Sequence, residues 1–484
     1  MKIKKNKIYP DLLIPYFLFL TMIFFTNCKD NNVNNPEPGD NNEDPKVQFW
    51  LSAPSQDILF TEQAGIALSN SADGENIIEV DPEVAFQEID GFGFALTGGS
   101  AYHIYKMDAA NRRLLLTELF TYDEKNIGVS YLRVSIGSSD LDFEVFSYDD
   151  LPAGETDVNM EKFTLDEDRK YLLPVLKEIL SINPDIKIMG SPWSPPVWMK
   201  TNRSSIGGSL KPEYYDAYAK YFVKYIQGMA LEGITIDAIT VQNEPLHPGN
   251  NPSLLMPASE QAAFIKTSLG PAFQAAGIRT KIVIYDHNAD RTDYPLEVLA
   301  DAEANQYVDG SAFHLYGGEI SALSQVHTAY PDKNLYFTEQ WIGAPGDFPG
   351  DMKWHIREVI IGATRNWCKV ALEWNLAADA NQDPHTDGGC TQCLGAVTIE
   401  GNSVTRNPAY YIVAHASKFV RPGSQRIESN QPTDLPNVAF LTPDGNTVVL
   451  VLNNGSSSNS FIIKKGNEAI STALAAGAVG TYVW

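Results

Sequence analysis

One ten-residue segment, IDAITVQNEP at positions 236–245, holds the pattern from which the fold can be predicted. Its mostly apolar or β-branched part, through Val241, is typical of a buried strand. The strand ends on Asn243-Glu244-Pro245, where Asn and Pro favour a turn and Glu is commonly solvated. The same triplet also fits a carboxylate placed at the mouth of a strand to exchange protons. Both interpretations are open from these ten residues alone.

The same pattern recurs along the middle of the chain. Stretches such as residues 212–233 carry apolar residues at helical spacing between the strand-like segments. Eight alternations of strand and helix predict an α/β fold, a (β/α)₈ TIM barrel over residues 86–407. A doubly wound open sheet shares the alternation, but GFGFALTGG after the first strand is no phosphate-binding loop and no P-loop lysine follows it. The eight segments are FQEIDGFGFALT, YLRVSIGSSD, IKIMGSPW, IDAITVQNEP, KIVIYDHN, GSAFHLYG, NLYFTEQW and VALEWNLAAD.

The two ends of the folded region lack the alternation of strand and helix. Residues 408–484 contain short alternating segments broken by Asp-Gly and Asn-Gly, a pattern typical of antiparallel hairpins. They predict a C-terminal β-sandwich beside the barrel. Residues 47–85 are also strand-like, so we expect them to add N-terminal strands to that sandwich.

The N-terminus predicts export. Four lysines in MKIKKNK precede an apolar run that ends at Asn27-Cys28, so residues 1–28 resemble a lipoprotein signal peptide with Cys28 as the lipidated residue. An uncleaved anchor helix is the alternative, although the run is short against the roughly 20 residues that span a bilayer. Residues 29–46 are polar and predict a flexible tether. We therefore expect an exported outer-membrane lipoprotein, displayed at the cell surface and held to the membrane only through Cys28.

The length of the chain and its net charge restrict the class of function. The 484 residues suit a large barrel with an accessory module. The formal net charge of −24 argues against nucleic acid, since a polyphosphate attracts a positive surface. It equally disfavours attraction to anionic lipid. A neutral substrate such as a sugar is compatible with this charge.

Several predicted strands end on a carboxylate or contain one. The active site of a β/α barrel lies at the carboxyl ends of its strands, so these carboxylates are candidates for chemistry. A single strand-end Glu is more often a solvated residue, but convergence at one barrel face favours a site. The carboxylates are Asp140, Glu244, Asp286, Glu339 and Glu373, and nearby aromatic, histidine and amide residues are Trp193, Asn243, His314, Tyr316, Trp341, Trp374 and Asn375.

Glu244 and Glu339 form the candidate catalytic pair. Cleaving a glycosidic bond needs one carboxylic acid to protonate the leaving oxygen and a second carboxylate to attack the anomeric carbon, and a separation of about 5 to 5.5 Å gives retention of configuration. Strands four and seven stand across a barrel mouth and can bring the two together. A nearby cation such as Arg133 would keep Glu339 ionised.

The chain resembles glycoside hydrolase family 30, the family of lysosomal glucosylceramidase and of bacterial and fungal β-1,6-glucanases. The motifs that carry the resemblance include LRVSIGSSDLDFEVFSYDD, SPWSPPVWMKTN, TVQNEP, FTEQW, EWNLA and SKFVRPGSQRI, in one order from about residue 86 to the C-terminus. The family implies a barrel with a side β-sandwich, retention, Glu244 as acid/base and Glu339 as nucleophile. It further implies that Asp140, Trp193, Asn243, Tyr316 and Trp374 bind the sugar, while Arg133 and His314 support the carboxylates.

Substrate choice depends on one loop. GGCTQCLG at residues 388–395 resembles the loop of the β-1,6-glucanase branch, so an endo-acting β-1,6-glucanase is favoured over a glucosylceramidase or an exo-acting β-glucosidase. A non-catalytic glycan-binding lipoprotein is the alternative from another class, which the presence of both carboxylates disfavours. Two carboxylates suffice for the chemistry, so no cofactor and no metal are expected.

The cysteines after the signal permit several roles. Cys390 and Cys393 form a CxxC pair, which occurs in redox motifs and in zinc sites. No thioredoxin-like context precedes the pair, and no second ligand pair at metal spacing is present. In an exported protein we therefore expect a local disulfide, with Cys368 a free thiol in the core.

Overall fold

The computed structural model describes residues 46–69 and 76–484. The predicted signal peptide, Cys28 and the tether up to residue 45 lie outside the described residues. In chain order the strands are β1 (Lys46–Ala53), β2 (Ile58–Ala67), β3 (Ile77–Glu88), β4 (Gly91–Ala95), β5 (Tyr131–Ser135), β6 (Lys187–Ser191), β7 (Ala238–Thr240), β8 (Lys281–Asn288), β9 (Val308–His314), β10 (Asn334–Glu339), β11 (Cys368–Asn375), β12 (Ala377–Ala378), β13 (Val397–Glu400), β14 (Ser403–Arg406), β15 (Gln425–Ser429), β16 (Asn437–Leu441), β17 (Thr447–Leu452), β18 (Asn459–Lys465), β19 (Glu468–Leu474) and β20 (Val479–Val483).

Helices separate the central strands and cover the barrel. Two π-helical segments, Ile265–Leu269 and Ile356–Gly362, each join two consecutive α-helices into one continuous helix. The described helices include none long and apolar enough to cross a bilayer. The α-helices are α1 (Gly98–Lys106), α2 (Ala109–Phe120), α3 (Asp166–Lys170), α4 (Leu172–Ile182), α5 (Tyr215–Leu231), α6 (Ala258–Phe264), α7 (Gly270–Ala276), α8 (Asp293–Ala300), α9 (Ala302–Asn305), α10 (Leu323–Ala329), α11 (Phe348–His355), α12 (Ala363–Arg365) and α13 (Pro408–Ser417).

Strands β4 to β11 close into a parallel barrel in the order β10-β11-β4-β5-β6-β7-β8-β9. Each of the eight predicted strand segments contains or overlaps one of them, so the predicted barrel is confirmed. The inward-facing residues nearer the amino ends of the strands fill the barrel with an apolar layer, as expected for this fold. The residues of this layer are Tyr131, Met189, Ala238, Val283, Ala312, Tyr336, Val370 and Leu372.

A polar layer lies one step closer to the carboxyl ends. Because side chains on a strand alternate between faces, the next inward position comes two residues later. On five strands this position holds Arg133, Ser191, Thr240, His314 and Thr338, all buried.

On β8 the polar layer depends on a bulge. Tyr285 and Asp286 both have positive φ, 71° and 69°, and the pairing with β9 shifts register between Tyr285 and His287. The extra residue turns Asp286 inward, three positions after Val283. Asp286 was expected at the end of its strand beside the pocket, but the bulge buries it completely within the polar layer.

The second module is a nine-stranded sheet in the order β19-β18-β3-β15-β16-β17-β20-β1-β2. The strands from residues 46–88 therefore share this sheet with strands from the C-terminal region. Their apolar faces form a separate core that includes Val47, Val449 and Tyr482.

Residues 408–417 differ from the sequence prediction, which began the sandwich at 408. They form α13, with Pro408 in its first turn and buried apolar side chains on most of its faces. A helix so largely apolar must be covered on several sides. His415 on this helix contacts Ser52 and Thr481 of the sheet, and the first sheet strand after it begins at Gln425.

Candidate active site

The carboxyl ends of the barrel strands surround an open pocket of about 430 Å³. Seven of the nine residues predicted for the site line it. The other two, Arg133 and His314, lie fully buried in the polar layer beneath it. The lining residues are Asp140, Trp193, Asn243, Glu244, His247, Asn250, His287, Asn288, Tyr316, Glu339, Trp341, Trp374, Cys390 and Cys393.

The backbone after β7 holds Glu244 in an unusual conformation. Its φ is 45°, in the left-handed region that non-glycine residues seldom adopt. The Glu244 N–H donates to the carbonyl of Asp286 at 3.0 Å, and the Asn243 N–H donates to the carbonyl of Pro192 at 2.8 Å. Such conformations persist where surrounding structure fixes them, and they cluster at functional sites. The triplet that follows β7 is therefore a fixed element of the site rather than a solvated turn.

Glu339 is the last residue of β10 and faces Glu244 across the pocket floor. The hydroxyl of Tyr316 donates to its Oε1 at 2.9 Å, and Arg133 Nη1 donates to its Oε2. An oxygen of Glu339 lies within 4.8 Å of an oxygen of Glu244. This separation fits the close pair of a retaining mechanism and leaves no room for the water that an inverting mechanism places between its carboxyls.

Arg133 organises the floor beneath both carboxylates. Its Nη2 donates to Asn243 Oδ1 at 2.7 Å and to Asp286 Oδ2 at 2.8 Å. Asp286 also accepts hydrogen bonds from the hydroxyls of Ser191, Thr240 and Thr338, at 2.6 to 2.8 Å. Burial opposes the charge of Asp286, but the charge of Arg133, the hydrogen bond and charge of His314, and the hydrogen bond from Thr338 outweigh it and hold the pKa of Asp286 far below its usual value.

His314 joins the two carboxylates to this floor. Its Nδ1 lies 3.2 Å from Glu244 Oε1 and 3.8 Å from Glu339 Oε1, while its Nε2 lies 3.2 Å from Asp286 Oδ1. Burial alone would lower the pKa of His314. The three surrounding carboxylates outweigh burial and raise that pKa to about 9, so the imidazole carries a proton at neutral pH.

Glu244, Glu339 and His314 therefore titrate as one unit. Burial raises the pKa of Glu244, but the hydrogen bond and charge of His314 more than offset it, so the net shift is downward. Burial raises the pKa of Glu339, and the positive charges of His314 and Arg133 offset only part of the rise. The proton shared by this group therefore lies on His314 at neutral pH, one hydrogen bond away from Glu244.

Two tryptophans and an aspartate form the wall of the pocket. The rings of Trp193 and Trp374 lie 5.4 Å apart, and the Arg133 guanidinium lies 4.9 Å and 5.5 Å from their centres. Asp140 accepts a hydrogen bond from the N–H of Cys390, and burial together with the charge of Glu339 raises the pKa of Asp140 to about 7. Near neutral pH this carboxyl can donate to or accept from a sugar hydroxyl.

The side of the pocket around Glu244 contains residues that sequence reasoning missed. Asn250 Nδ2 lies 3.5 Å from Glu244 Oε2, and His287 Nε2 lies 3.9 Å from Glu244 Oε1. Burial lowers the pKa of His287 to about 4, so its ring is neutral at neutral pH. His247 also lines the pocket near Glu244, whereas Trp341 packs against the cluster that contains Trp193 and Trp374. The signal for His287 was its position directly after Asp286 on a predicted barrel strand; nothing local marked Asn250.

The Cys390–Cys393 disulfide forms part of the pocket rim. Its loop pairs with the segment after β10, where the Ala344 N–H donates to the carbonyl of Gln392 and the Leu394 N–H to that of Ile342. Cys368 is a buried free thiol on β11.

Glu373, predicted inside the eighth strand, does not reach the pocket. It lies on β11, fully buried, and its carboxylate pairs with Nδ1 of His355 on α11 at 2.8 and 2.9 Å. The alternation along β11 turns Trp374 toward the pocket and Glu373 toward the surrounding helix.

One trio in the described part of the chain has metal-binding spacing. Ligand atoms of Glu244, His314 and Glu339 lie within 4.8 Å of one another. A histidine ligand must be neutral, whereas the surrounding carboxylates keep His314 protonated. Both of its nitrogens already face carboxylates, so the trio is suited to holding protons.

Two facing carboxylates at the mouth of a closed β/α barrel, in a pocket lined by tryptophans, are the site of a glycoside hydrolase with retaining chemistry. The chain belongs to glycosyl hydrolase family 30: residues 89–420 match the family's TIM-barrel domain, and residues 423–482 match its β-sandwich domain.

The chain is similar to characterised members of two kinds. It is 34% identical to endo-1,6-β-D-glucanase of Neurospora crassa, over 84% of this chain and 87% of the relative. It is 30% identical to the lysosomal acid glucosylceramidase of Mus musculus, over 84% and 83% of the two chains. Among solved structures, the endo-β1,6-glucanase BT3312 is 37% identical with a TM-score of 0.84, covering 91% of this chain and 99% of that one.

Proposed function

We propose that this protein is an endo-acting β-1,6-glucanase that hydrolyses glucan with retention of configuration. The observation that carries the proposal is the facing pair Glu244 and Glu339, whose oxygens approach within 4.8 Å on a floor organised by Arg133 and His314. Similarity to fungal and bacterial β-1,6-glucanases supports the substrate. The neutral polysaccharide also suits a chain with a formal net charge of −24.

The reaction has two displacements. Glu339 attacks the anomeric carbon while Glu244 gives a proton to the departing glycosidic oxygen, so a glucosyl ester forms on Glu339 as the glycosidic bond breaks. Glu244 then takes a proton from a water molecule, whose oxygen attacks the anomeric carbon; the bond from that carbon to Glu339 breaks and Glu339 leaves as a carboxylate. Each step inverts the anomeric centre, so the product keeps the β configuration.

The floor supplies the charge states that these steps need. The Arg133 guanidinium and the Tyr316 hydroxyl both donate to Glu339, which favours the ionised nucleophile. His314 carries a proton and lies 3.2 Å from Glu244 Oε1, so it can pass that proton to the acid when a glycosidic oxygen arrives. Asp286 keeps the imidazole oriented through Nε2.

The remaining lining residues bind the sugar whose bond is cleaved. Trp193 and Trp374 offer aromatic faces, and Asp140 and Asn243 offer hydrogen bonds to hydroxyls. His287 and Asn250 lie beside Glu244 and therefore contact the leaving portion of the chain.

A glucosylceramidase is the second candidate, because the identity to the mouse lysosomal enzyme is 30%. The purified protein should be incubated with the β-1,6-glucan pustulan, laminarin, an aryl β-glucoside and glucosylceramide. Release of short β-1,6-oligosaccharides from pustulan would support an endo-glucanase, and release of glucose from glucosylceramide alone would favour the second candidate. Binding without product from any substrate would favour a non-catalytic glycan receptor and overturn the proposal.

We further propose that the protein is exported as a lipoprotein anchored through Cys28 and displayed at the outer membrane surface. The basic and apolar residues before Cys28, and the polar segment after it, support this. Labelling of expressing cells with a fatty-acid probe should mark the wild-type protein and not Cys28→Ser, and surface protease should remove the wild-type protein from intact cells.

A further inference from the structure

A second cavity opens on the catalytic face of the barrel. Its volume is about 290 Å³. It is lined by Gly98, directly after β4, by Asp142 and Phe143, in the segment after β5, and by Asp168 and Tyr171. Asp140 lines the catalytic pocket and Asp142 lines this side cavity, so the two cavities flank one short segment.

The floor of the side cavity contains two buried carboxyls. Asp142 is 7% exposed and Asp168 is 4% exposed. The hydrogen bonds that the described residues make reach only Oδ2 of each: Ser139 donates its N–H and its hydroxyl to Asp142, and the Tyr148 hydroxyl donates to Asp168. Neither carboxyl forms a salt bridge within the described chain. Oδ1 of Asp168 accepts no hydrogen bond from the described residues, and Oδ1 of Asp142 lies against Gly98, where no Cβ intervenes.

These carboxyls suit a neutral, hydroxyl-rich ligand better than an ion. Burial raises the pKa of Asp142 to about 7 and that of Asp168 to about 8, so near neutral pH both can donate a hydrogen bond as well as accept one. Among the described residues no third carboxylate, His or Cys comes close enough to complete a metal site with them. The one lysine on the wall, Lys170, is paired with Glu167.

An aromatic ring stands beside this floor with a face toward solvent. Phe143 is 55% exposed. Its edge contact with Tyr102, at 4.6 Å between ring centres, and the contact of Tyr102 with Tyr171 at 5.1 Å hold it in place. An apolar ring face beside buried carboxyls can bind a sugar in two ways, since the C–H face of a sugar ring stacks on the aromatic ring and its hydroxyls bind the carboxyls.

The position in the barrel identifies which part of a chain would reach the cavity. Asn250 follows β7 and His287 lies on β8, so the leaving portion of the substrate is on that side. In the closed barrel β4 lies directly opposite β8. The side cavity, at the ends of β4 and β5, is therefore on the far side of the cleaved bond.

We propose that the side cavity is a second sugar-binding site, which holds a glucose unit of the same glucan chain further toward its non-reducing end. Phe143 supplies the stacking face, and Asp142 and Asp168 bind hydroxyls. The identity of the ligand rests on the proposed glucanase function. Such a site favours cleavage within a chain over release of single terminal units.

The test compares Phe143→Ala and Asp168→Asn with Tyr122→Ala. Tyr122 is a matched control, since it is 59% exposed and precedes β5, at the opposite end of the barrel. We expect Phe143→Ala to lower kcat/KM on long β-1,6-gluco-oligosaccharides by about tenfold, equivalent to about 1.4 kcal/mol, and to change an aryl β-glucoside by less than about twofold. Equal losses on both substrates, or no loss on the long one, would overturn the proposal.

A binding experiment tests the side cavity independently of the proposed activity. Calorimetry with the Glu339→Gln protein should use β-1,6-, β-1,3- and β-1,4-gluco-oligosaccharides of increasing length. Affinity that rises with length, and falls about tenfold when Phe143→Ala is added, would support the site even if the wild-type protein cleaved no β-1,6-glucan. If no oligosaccharide gained affinity with length, or if Tyr122→Ala had the same effect, the site would be disproved.

Discussion

Arg133 Nη2 donates to Asp286 Oδ2 at 2.8 Å, and neither side chain has any exposure to solvent. The pair lies below the two catalytic candidates rather than beside them, and it links the strand ends that carry Asn243 and Glu339. A buried charge is costly unless it is paired and hydrogen-bonded. The polar layer meets this condition for Asp286 with five donors, so the floor of the site is also a structural element of the barrel.

Asp286→Asn should destabilise the protein. The substitution leaves Arg133 buried with one carboxylate fewer, which typically lowers the free energy of unfolding by about 3 to 5 kcal/mol. Urea denaturation near neutral pH measures the loss. The pKa of Asp286 is lowered in the folded state, so its contribution is present above the unfolded value of about 3.9 and is lost as the pH falls below it. The difference between wild type and variant should therefore shrink in acid.

The control is Asp293→Asn, since Asp293 forms an exposed pair with Arg291. Exposed pairs contribute about 0 to 1 kcal/mol. If both variants lost the same stability, the structural role of the polar layer would be disproved.

Glu339→Gln and Glu244→Ala should fail in different ways. Without the nucleophile no glucosyl ester forms, so Glu339→Gln should lose more than about 1,000-fold in kcat on every substrate. Glu244→Ala should still form the ester from aryl glucosides whose leaving groups need no proton. Azide should then accelerate it and give the β-glucosyl azide, identified by nuclear magnetic resonance.

Glu303→Gln is the control, at a carboxylate that is 78% exposed. An α-azide product, or full activity of either variant on glucan, would contradict the assignment of the two roles.

The barrel was predictable because each of its strands is an apolar segment closed by turn residues. Side chains along β5, β6, β7 and β10 alternate between the two faces of the strand, and this alternation places polar residues at the same depth in the barrel. The inward position of Asp286 could not be predicted in this way. Its inward position depends on a bulge at Tyr285, and a bulge adds one residue to a strand without a local signature in KIVIYDHN. The position of Asn250 in the site and the existence of the side cavity could not be predicted either, since both depend on how separate loops pack together.

The disulfide should position Asp140. The loop from residue 386 to residue 393 donates the N–H of Thr386 to the carbonyl of Asp140 and the N–H of Cys390 to its Oδ2. Replacing both Cys390 and Cys393 with Ala should free this loop and lower kcat/KM by about threefold to tenfold, mainly through KM, because Asp140 would bind sugar less well. Cys368→Ala is the control at a thiol away from the pocket.

Peptide mapping should detect the bond directly. The native peptide that contains Cys390 and Cys393 should lack two hydrogens relative to its reduced form, and Cys368 should react with a thiol reagent only after denaturation, since it is buried. Three free thiols among these cysteines would disprove the disulfide.

The alkaline limit of activity should depend on His314. The pKa of this histidine is raised to about 9 by the carboxylates around it, and in the proposed mechanism its proton passes to Glu244. A group with a raised pKa keeps its proton below that value and loses it as the pH rises through it, so kcat/KM of the wild-type protein on β-1,6-gluco-oligosaccharides should fall near pH 9. In His314→Gln the proton must be held by Glu244 alone, a group with an ordinary pKa of about 4.3, so the fall should begin at lower pH. His327→Gln is the control, because this histidine stacks on Trp367 away from the site. An alkaline limit unchanged in His314→Gln would show that the catalytic proton is stored elsewhere.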